Sequence, residues 1–270
     1  MDTNLNKTNS PGCEADAPEA HQGIVMQGVS KNFGPKRVLN RCDLVVNKGE
    51  TLVVIGRSGE GKSVLLKHIV RLLEPDEGSI WIEGIEITCL GKRELMALRR
   101  KFGFLFQGAA LFDSMTISKN LGLALEEHTD WDPEKIRERV SECLALVGLK
   151  QVEDKLPSAL SGGMKKRAGL ARAIVMKPEY ILYDEPTTGL DPISSDSIND
   201  LIIKGKEKLG VTSVVVTHDM PSAFKIADRI AMLNGGEIVF VGTVDEVQNT
   251  DHPMVRQFIE GNSQGPLETF

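Results

Sequence analysis

Residues 51–74 read TLVVIGRSGEGKSVLLKHIVRLLE. The opening run TLVVIG is short and apolar, which predicts a buried strand. The closing run VLLKHIVRLLE carries apolar residues at spacings of three and four, which predicts a helix that Pro75 stops. Between them, Gly56-Arg57-Ser58-Gly59-Glu60-Gly61-Lys62-Ser63 satisfies GxxxxGK[ST] in the strand–loop–helix setting that this pattern needs. Glycines let backbone N–H groups turn inward around phosphate oxygens, and a helix start adds free amides and its dipole. Lys62 offers a point charge to the β- and γ-phosphates, and the Ser63 hydroxyl can ligate Mg²⁺. The bland alternative is a glycine-rich turn that matches by chance. Alone, the pattern leaves kinase, GTPase and ATPase open.

A second phosphate-site element lies downstream. Tyr180-Ile181-Leu182-Tyr183-Asp184-Glu185 is an apolar strand ending in two carboxylates, cut off by Pro186. In a parallel sheet the carboxyl ends of strands face the ligand crevice. Asp184 is placed to hold Mg²⁺, and strand alternation puts Glu185 on the other side, where it can orient or polarise water. Strand-like and helix-like segments alternate along most of the chain, which predicts a largely parallel, two-sided sheet. Residues 109–165 read as a helical insert, with Asp132 as a cap and Pro133 opening the second helix. RIAMLNGGEIVFVG closes the pattern as a hairpin around Asn234-Gly235-Gly236. Residues 1–22 read as a flexible tail; from Asp245 a short amphipathic helix leads into a weakly structured end.

Composition narrows the class. Among 270 residues, Asp plus Glu outnumber Lys plus Arg by 38 to 32, a net charge of −6, which argues against nucleic acid as the main partner. No apolar run approaches the ~20 residues of a membrane span, and the first residues lack the apolar core of a signal peptide. Cys13, Cys42, Cys89 and Cys143 form no CxxC pair; they suit neither a disulfide framework nor a zinc site and fit a reducing compartment.

Leu160-Ser161-Gly162-Gly163-Met164 resembles the signature of the ABC transporter ATPases. Around it, Gln107 after FGFLF matches that family's Q-loop, Thr188-Gly189-Leu190-Asp191 its D-loop, His218 its switch histidine and Phe33 its adenine-stacking aromatic. The resemblance covers about residues 24–247. It implies an α/β P-loop NTPase with a mainly parallel core sheet, an N-terminal antiparallel subdomain and an inserted helical subdomain. It also implies ATP held by Phe33, Gly56 to Ser63, Val64, Gln107, Ser161, Gly162, Gly163, Asp184 and Asp191, with Mg²⁺ near Ser63, Gln107 and, through water, Asp184. Glu185, His218 and Lys62 would carry hydrolysis. Two departures stand out: Met164 where the family usually has Gln, and Phe33 where Tyr is common.

Read on its own, Ser161 to Gly163 opens a helix and can receive an anion. In the family that anion is the γ-phosphate bound by a second copy, so the resemblance implies an ATP-sandwich dimer. It further implies a separate integral-membrane permease and a peripheral place on the cytoplasmic face of the inner membrane. Phe104, Phe106, Ala109, Leu111, Phe112 and Met115 suit a contact with that permease, core burial being the alternative. Within the family, LFQGAALFDSMTISKN, DEPTTGLDPI with Met164 in the signature, and HPMVRQFIEGNSQGP are similar to the Mla-type phospholipid-transport ATPases. Their partners are an MCE-domain lipid-binding protein and a STAS-domain subunit, and residues 248–270 resemble a tail reaching the partner protomer. The alternative cargo is a polar small solute.

Overall fold

The computed structural model describes residues 23–267; the tail read over residues 1–22 lies outside them. Ten strands and nine α-helices follow one another as β1 (Gly23–Phe33), β2 (Lys36–Asn47), β3 (Thr51–Ile55), α1 (Lys62–Ile69), β4 (Glu77–Ile82), β5 (Ile85–Glu86), α2 (Lys92–Arg99), β6 (Phe102–Leu105), α3 (Ile117–His128), α4 (Pro133–Leu146), α5 (Gly162–Ile174), β7 (Tyr180–Asp184), α6 (Pro192–Leu209), β8 (Thr212–Thr217), α7 (Met220–Ile226), β9 (Arg229–Asn234), β10 (Glu237–Thr243), α8 (Val244–Asn249) and α9 (Pro253–Glu260).

The core sheet runs β10-β9-β3-β8-β7-β6, parallel except for the β9–β10 hairpin. Its central strands are apolar throughout because both faces are covered. Val53, Ile55, Ile181, Tyr183 and Val215 pack with the helices of the insert. Their neighbours Leu52, Val54, Tyr180, Leu182, Val214 and Val216 face the other way, toward α1 and the antiparallel sheet β2-β1-β4-β5. Period-two alternation thus divides the three central strands β3, β7 and β8 between two cores. This is the expected α/β arrangement, with its antiparallel sheet and inserted helices.

Local chemistry sets several boundaries as expected. Asp132 caps α4 by accepting from the N–H groups of Glu134 and Lys135, and Pro133 stands at the first helical position. The turn entering α3 is held by Asn120, which is buried. Its Oδ1 accepts from Phe112 N at 2.7 Å, and its Nδ2 faces the carbonyls of Phe112, Met115 and Thr116 at 3.0–3.1 Å. Asn120→Ala strands these groups and should cost about 2–3 kcal/mol. A urea titration reads this as a lower midpoint at unchanged slope; an unmoved midpoint would contradict it.

Two expectations about the C-terminal region are corrected. The chain after Asp245 forms two helices, not one, and the end is not weakly held: Leu267 is buried. Gln257 secures it, its Oε1 accepting from Leu267 N at 2.7 Å and its Nε2 donating to the Leu267 and Asn262 carbonyls at 3.2 Å. The apolar stretch weighed between permease contact and core burial divides: one member is buried, four are half-buried and one is exposed. Ala109 is buried, Leu111 packs on one core, and Phe104 packs on the other while stacking on Phe106 at 4.0 Å. Phe112 is the strongly exposed member, at 50 %. Cys42 and Cys143 are buried free thiols. No described helix is long and apolar enough to cross a membrane.

Candidate active site

The phosphate loop leaves the carboxyl end of β3 and closes on α1. Its glycines are required by neighbours as well as by backbone angles. A Cβ on Gly61, whose φ is +99°, would meet Val38 Cγ1 at 2.8 Å and the Val38 carbonyl at 2.9 Å. A Cβ on Gly56 would stand 2.4 Å from the Leu233 carbonyl. Glu60 braces the same loop: its Oε2 accepts from Gly235 N at 2.7 Å, so its side chain is committed to the β9–β10 hairpin. Ser58 and Gly59 form the exposed crest beside the half-buried Arg57, and Val64 follows within α1.

Lys62 opens α1 and is buried. Its Nζ donates to the carbonyls of Gly56 at 2.7 Å and Arg57 at 3.0 Å and lies 3.6 Å from Glu185 Oε1. Burial pulls its pKa down, against the opposing pull of the Glu185 carboxylate. A buried ammonium at the head of a helix is suited to an anion.

Asp184 ends β7 and is also buried; its Oδ1 accepts from Ser63 Oγ at 2.7 Å. Burial raises its pKa above the usual carboxylate range, with the Ser63 bond pulling the other way. The pair fits Mg²⁺: a hydroxyl and a desolvated carboxylate are hard oxygen donors, and a cation would relieve the buried charge. Between the ordinary carboxylate pKa and the raised one, the folded protein keeps a proton that the unfolded chain has lost. Stability from this group is therefore fullest in acid and is lost as pH rises through that window. Asp184→Asn should raise the melting temperature at pH 7.5, by roughly 2–4 °C for each kcal/mol of desolvation relieved, while removing Mg²⁺-dependent nucleotide binding. A lower melting temperature with binding intact would contradict this.

Glu185 is not set by strand alternation. It leaves the strand at once, in a left-handed conformation with φ +49°, which non-glycine residues adopt at a cost. The turn swings its carboxylate into a ring of donors. Oε2 lies 2.9 Å from His218 Nδ1, accepts from Thr188 Oγ1 at 2.9 Å and stands 3.5 Å from Thr217 Oγ1. Oε1 faces Lys62. The backbone is held too: Glu185 N donates to Val216 O at 3.0 Å, and Lys166 Nζ donates to Glu185 O at 2.8 Å. Thr217 and Lys166 are not among the predicted site residues, and Thr188 is read only as part of the D-loop match. Only the position of Lys166, four residues after Gly162 and so on the same helix face, hinted at a shared surface.

Lys62, Ser63, Asp184, Glu185 and His218 thus meet in one cluster. The other predicted residues stand apart from it. Gln107 is exposed in the turn after β6, and Phe33 is 46 % exposed at the end of β1. Ser161 caps α5 by accepting from Met164 N, with Gly162 and Gly163 in the first turn. Asp191 caps α6 through Ser194 N at 2.9 Å and Ser194 Oγ at 2.6 Å, and those bonds hold its carboxyl below the usual range. Beside it Ile193 is 84 % exposed, a large apolar side chain in full solvent.

Comparison with known proteins follows this geometry. A mycobacterial relative, the probable ribonucleotide transport ATP-binding protein mkl of Mycobacterium tuberculosis (strain ATCC 25618 / H37Rv), is 42 % identical over 90 % of this chain and 68 % of its own length. The intermembrane phospholipid transport system ATP-binding protein MlaF of Escherichia coli (strain K12) is 38 % identical over 90 % of this chain and 91 % of its own. A solved dimer of the ATP-binding cassette MJ0796, in a post-hydrolysis state with ADP and Pi, superposes with a TM-score of 0.76 at 34 % identity, covering 82 % of this chain and 98 % of that one. Resemblance extends to several transporter types rather than to the Mla type alone. The ABC transporter family model matches residues 39–188, more than half of the chain. With the loop, the acidic strand end and the signature helix in place, the chain belongs to the ABC transporter family as one of its ATP-hydrolysing subunits.

Proposed function

We propose that two copies of this chain pair head to tail around two ATP molecules and that their closing drives a separate membrane permease from its cytoplasmic face. The observation that carries this reading is the separation of two anion sites in one protomer. Lys62 and the phosphate loop sit at the sheet, while Ser161 to Gly163 head a different helix and share no hydrogen bond with that cluster among the described residues. A second copy supplies the missing half-site, and a two-fold pair satisfies both at once. The exposed Ile193 beside Asp191 gives that seam an apolar element.

Within such a pair Lys62 leaves its own loop carbonyls for the β- and γ-phosphates. Glu185 Oε1 then loses its cationic neighbour and can accept a proton from the attacking water, while Thr188 and His218 keep the carboxylate aimed. Ser63 and Asp184 would hold Mg²⁺, with Gln107 as a further candidate ligand, and the ion would supply charge neutralisation on the phosphate oxygens. Phe33 offers an open ring face to adenine. Size-exclusion chromatography with light scattering tests the pairing: ATP without turnover should double the mass, whereas a monomer at every nucleotide concentration would reject it.

For cargo, the first reading is a polar small solute, supported by the higher identity to a relative named for ribonucleotide transport. Phospholipid is the second reading. It is supported by a match spanning 91 % of a relative named for intermembrane phospholipid transport, and it brings MCE- and STAS-domain partners with it. Purification of the assembled complex from membranes separates them. A soluble binding protein and solute-stimulated hydrolysis support the first, and an MCE protein with bound lipid supports the second.

A further inference from the structure

Lys166 is a buried cation that the hydrolytic chemistry leaves unused. It lies on α5, one turn after Gly162, and its ammonium is desolvated between elements rather than at the surface. An apolar residue would fill that space at lower cost, so the ammonium asks for a role. Its Nζ donates to the carbonyl of Glu185, the peptide that holds the left-handed turn, at 2.8 Å. That carbonyl also takes a long bond from Thr188 N at 3.4 Å, so Lys166 is its stronger partner. The helix cannot rotate freely about this tie. Arg172, farther along α5, donates to the carbonyls of Ala109 and Ala110 at 2.9 and 2.6 Å, in the turn that carries Gln107. A Cβ on Gly169 would meet Leu105 and Ala109 at 2.9–3.0 Å, so the helix also packs tightly on β6.

We propose that Lys166 is a positioning residue that makes α5 a rigid link, so that engagement of Ser161 to Gly163 by the partner's nucleotide fixes the peptide of Glu185 in the same protomer. Binding in one site thereby sets the aim of the carboxylate in the other. The inference rests on the paired reading above. It assigns Lys166 no contact with substrate; its action runs through the Glu185 backbone.

The test uses the purified full chain. Lys166→Met removes the donor at similar volume and relieves a buried charge, so its melting temperature should not fall. Its kcat should drop about 10- to 100-fold, the scale of a misaimed group, with KM for ATP within about threefold. Lys166→Arg, which keeps a charged donor, should recover most of the loss. Lys166→Gln, whose amide ends one bond short, should behave like the Met variant and replaces it if that one does not fold. K166M/E185Q should still pair with ATP. Unchanged kcat, a KM that rises in step with the loss of kcat, no rescue by Arg, or loss of pairing in K166M/E185Q would each overturn the inference. Failure of E185Q alone to pair would instead reject the paired reading on which it rests.

Discussion

Replacing Glu185 with glutamine is expected to lower kcat by about 10²- to 10⁴-fold and to leave ATP-bound pairs standing. The amide keeps the size of the side chain and can still accept from Thr188 and His218, so the turn at φ +49° should hold. What disappears is a carboxylate able to take the proton of water. Nucleotide affinity does not depend on that proton, so binding survives and release is blocked. Light scattering should then show twice the protomer mass with ATP and the protomer mass with ADP. Parent-like steady-state hydrolysis by E185Q would remove Glu185 from the chemistry.

Lys62→Ala acts on the other side of the same ion pair. Lys62 is the buried ammonium nearest the inward-turned loop, and charge-assisted hydrogen bonds are worth about 1.5–3 kcal/mol each. The ATP dissociation constant should rise about 10- to 100-fold. Folding should persist, because the lost ammonium was itself desolvated and Glu185 retains His218 and Thr188. Titration with a fluorescent ATP analogue measures the change. An unaltered constant in a folded variant would show that the loop amides alone carry binding.

Much of this was legible in the residues because it rests on local chemistry. The phosphate loop sits in a strand–loop–helix setting, Asp132 and Pro133 mark a helix start, Asn234-Gly235-Gly236 makes a tight turn, and Ser161 caps α5. Each is a contact among near neighbours. What stayed hidden depends on segments far apart in the chain. Strand alternation gave the wrong account of Glu185, since a left-handed turn begins where the strand ends. Lys166 carries no local mark of its role; only packing shows it buried against a carbonyl 19 residues on. The stretch around Phe104 to Met115 stayed open because apolar composition does not tell a docking face from a core; Ala109 is buried and Phe112 exposed. Leu267 read as loose tail because the partner that secures it, Gln257, is a polar residue on a helix with no local mark of that role.

Mixed pairs address the shared site most directly. A Cβ on Gly163 meets only ordinary contacts, Ser194 Oγ at 3.7 Å being the nearest, so Gly163→Asp should fold while repelling phosphate. Combining K62A and G163D protomers in an E185Q background puts both defects in one composite site and leaves the other intact. Native mass spectrometry should find these mixed pairs carrying one ATP, against two in the E185Q pair. Mixed pairs with no ATP, or single protomers each holding one, would contradict a nucleotide site built from two copies.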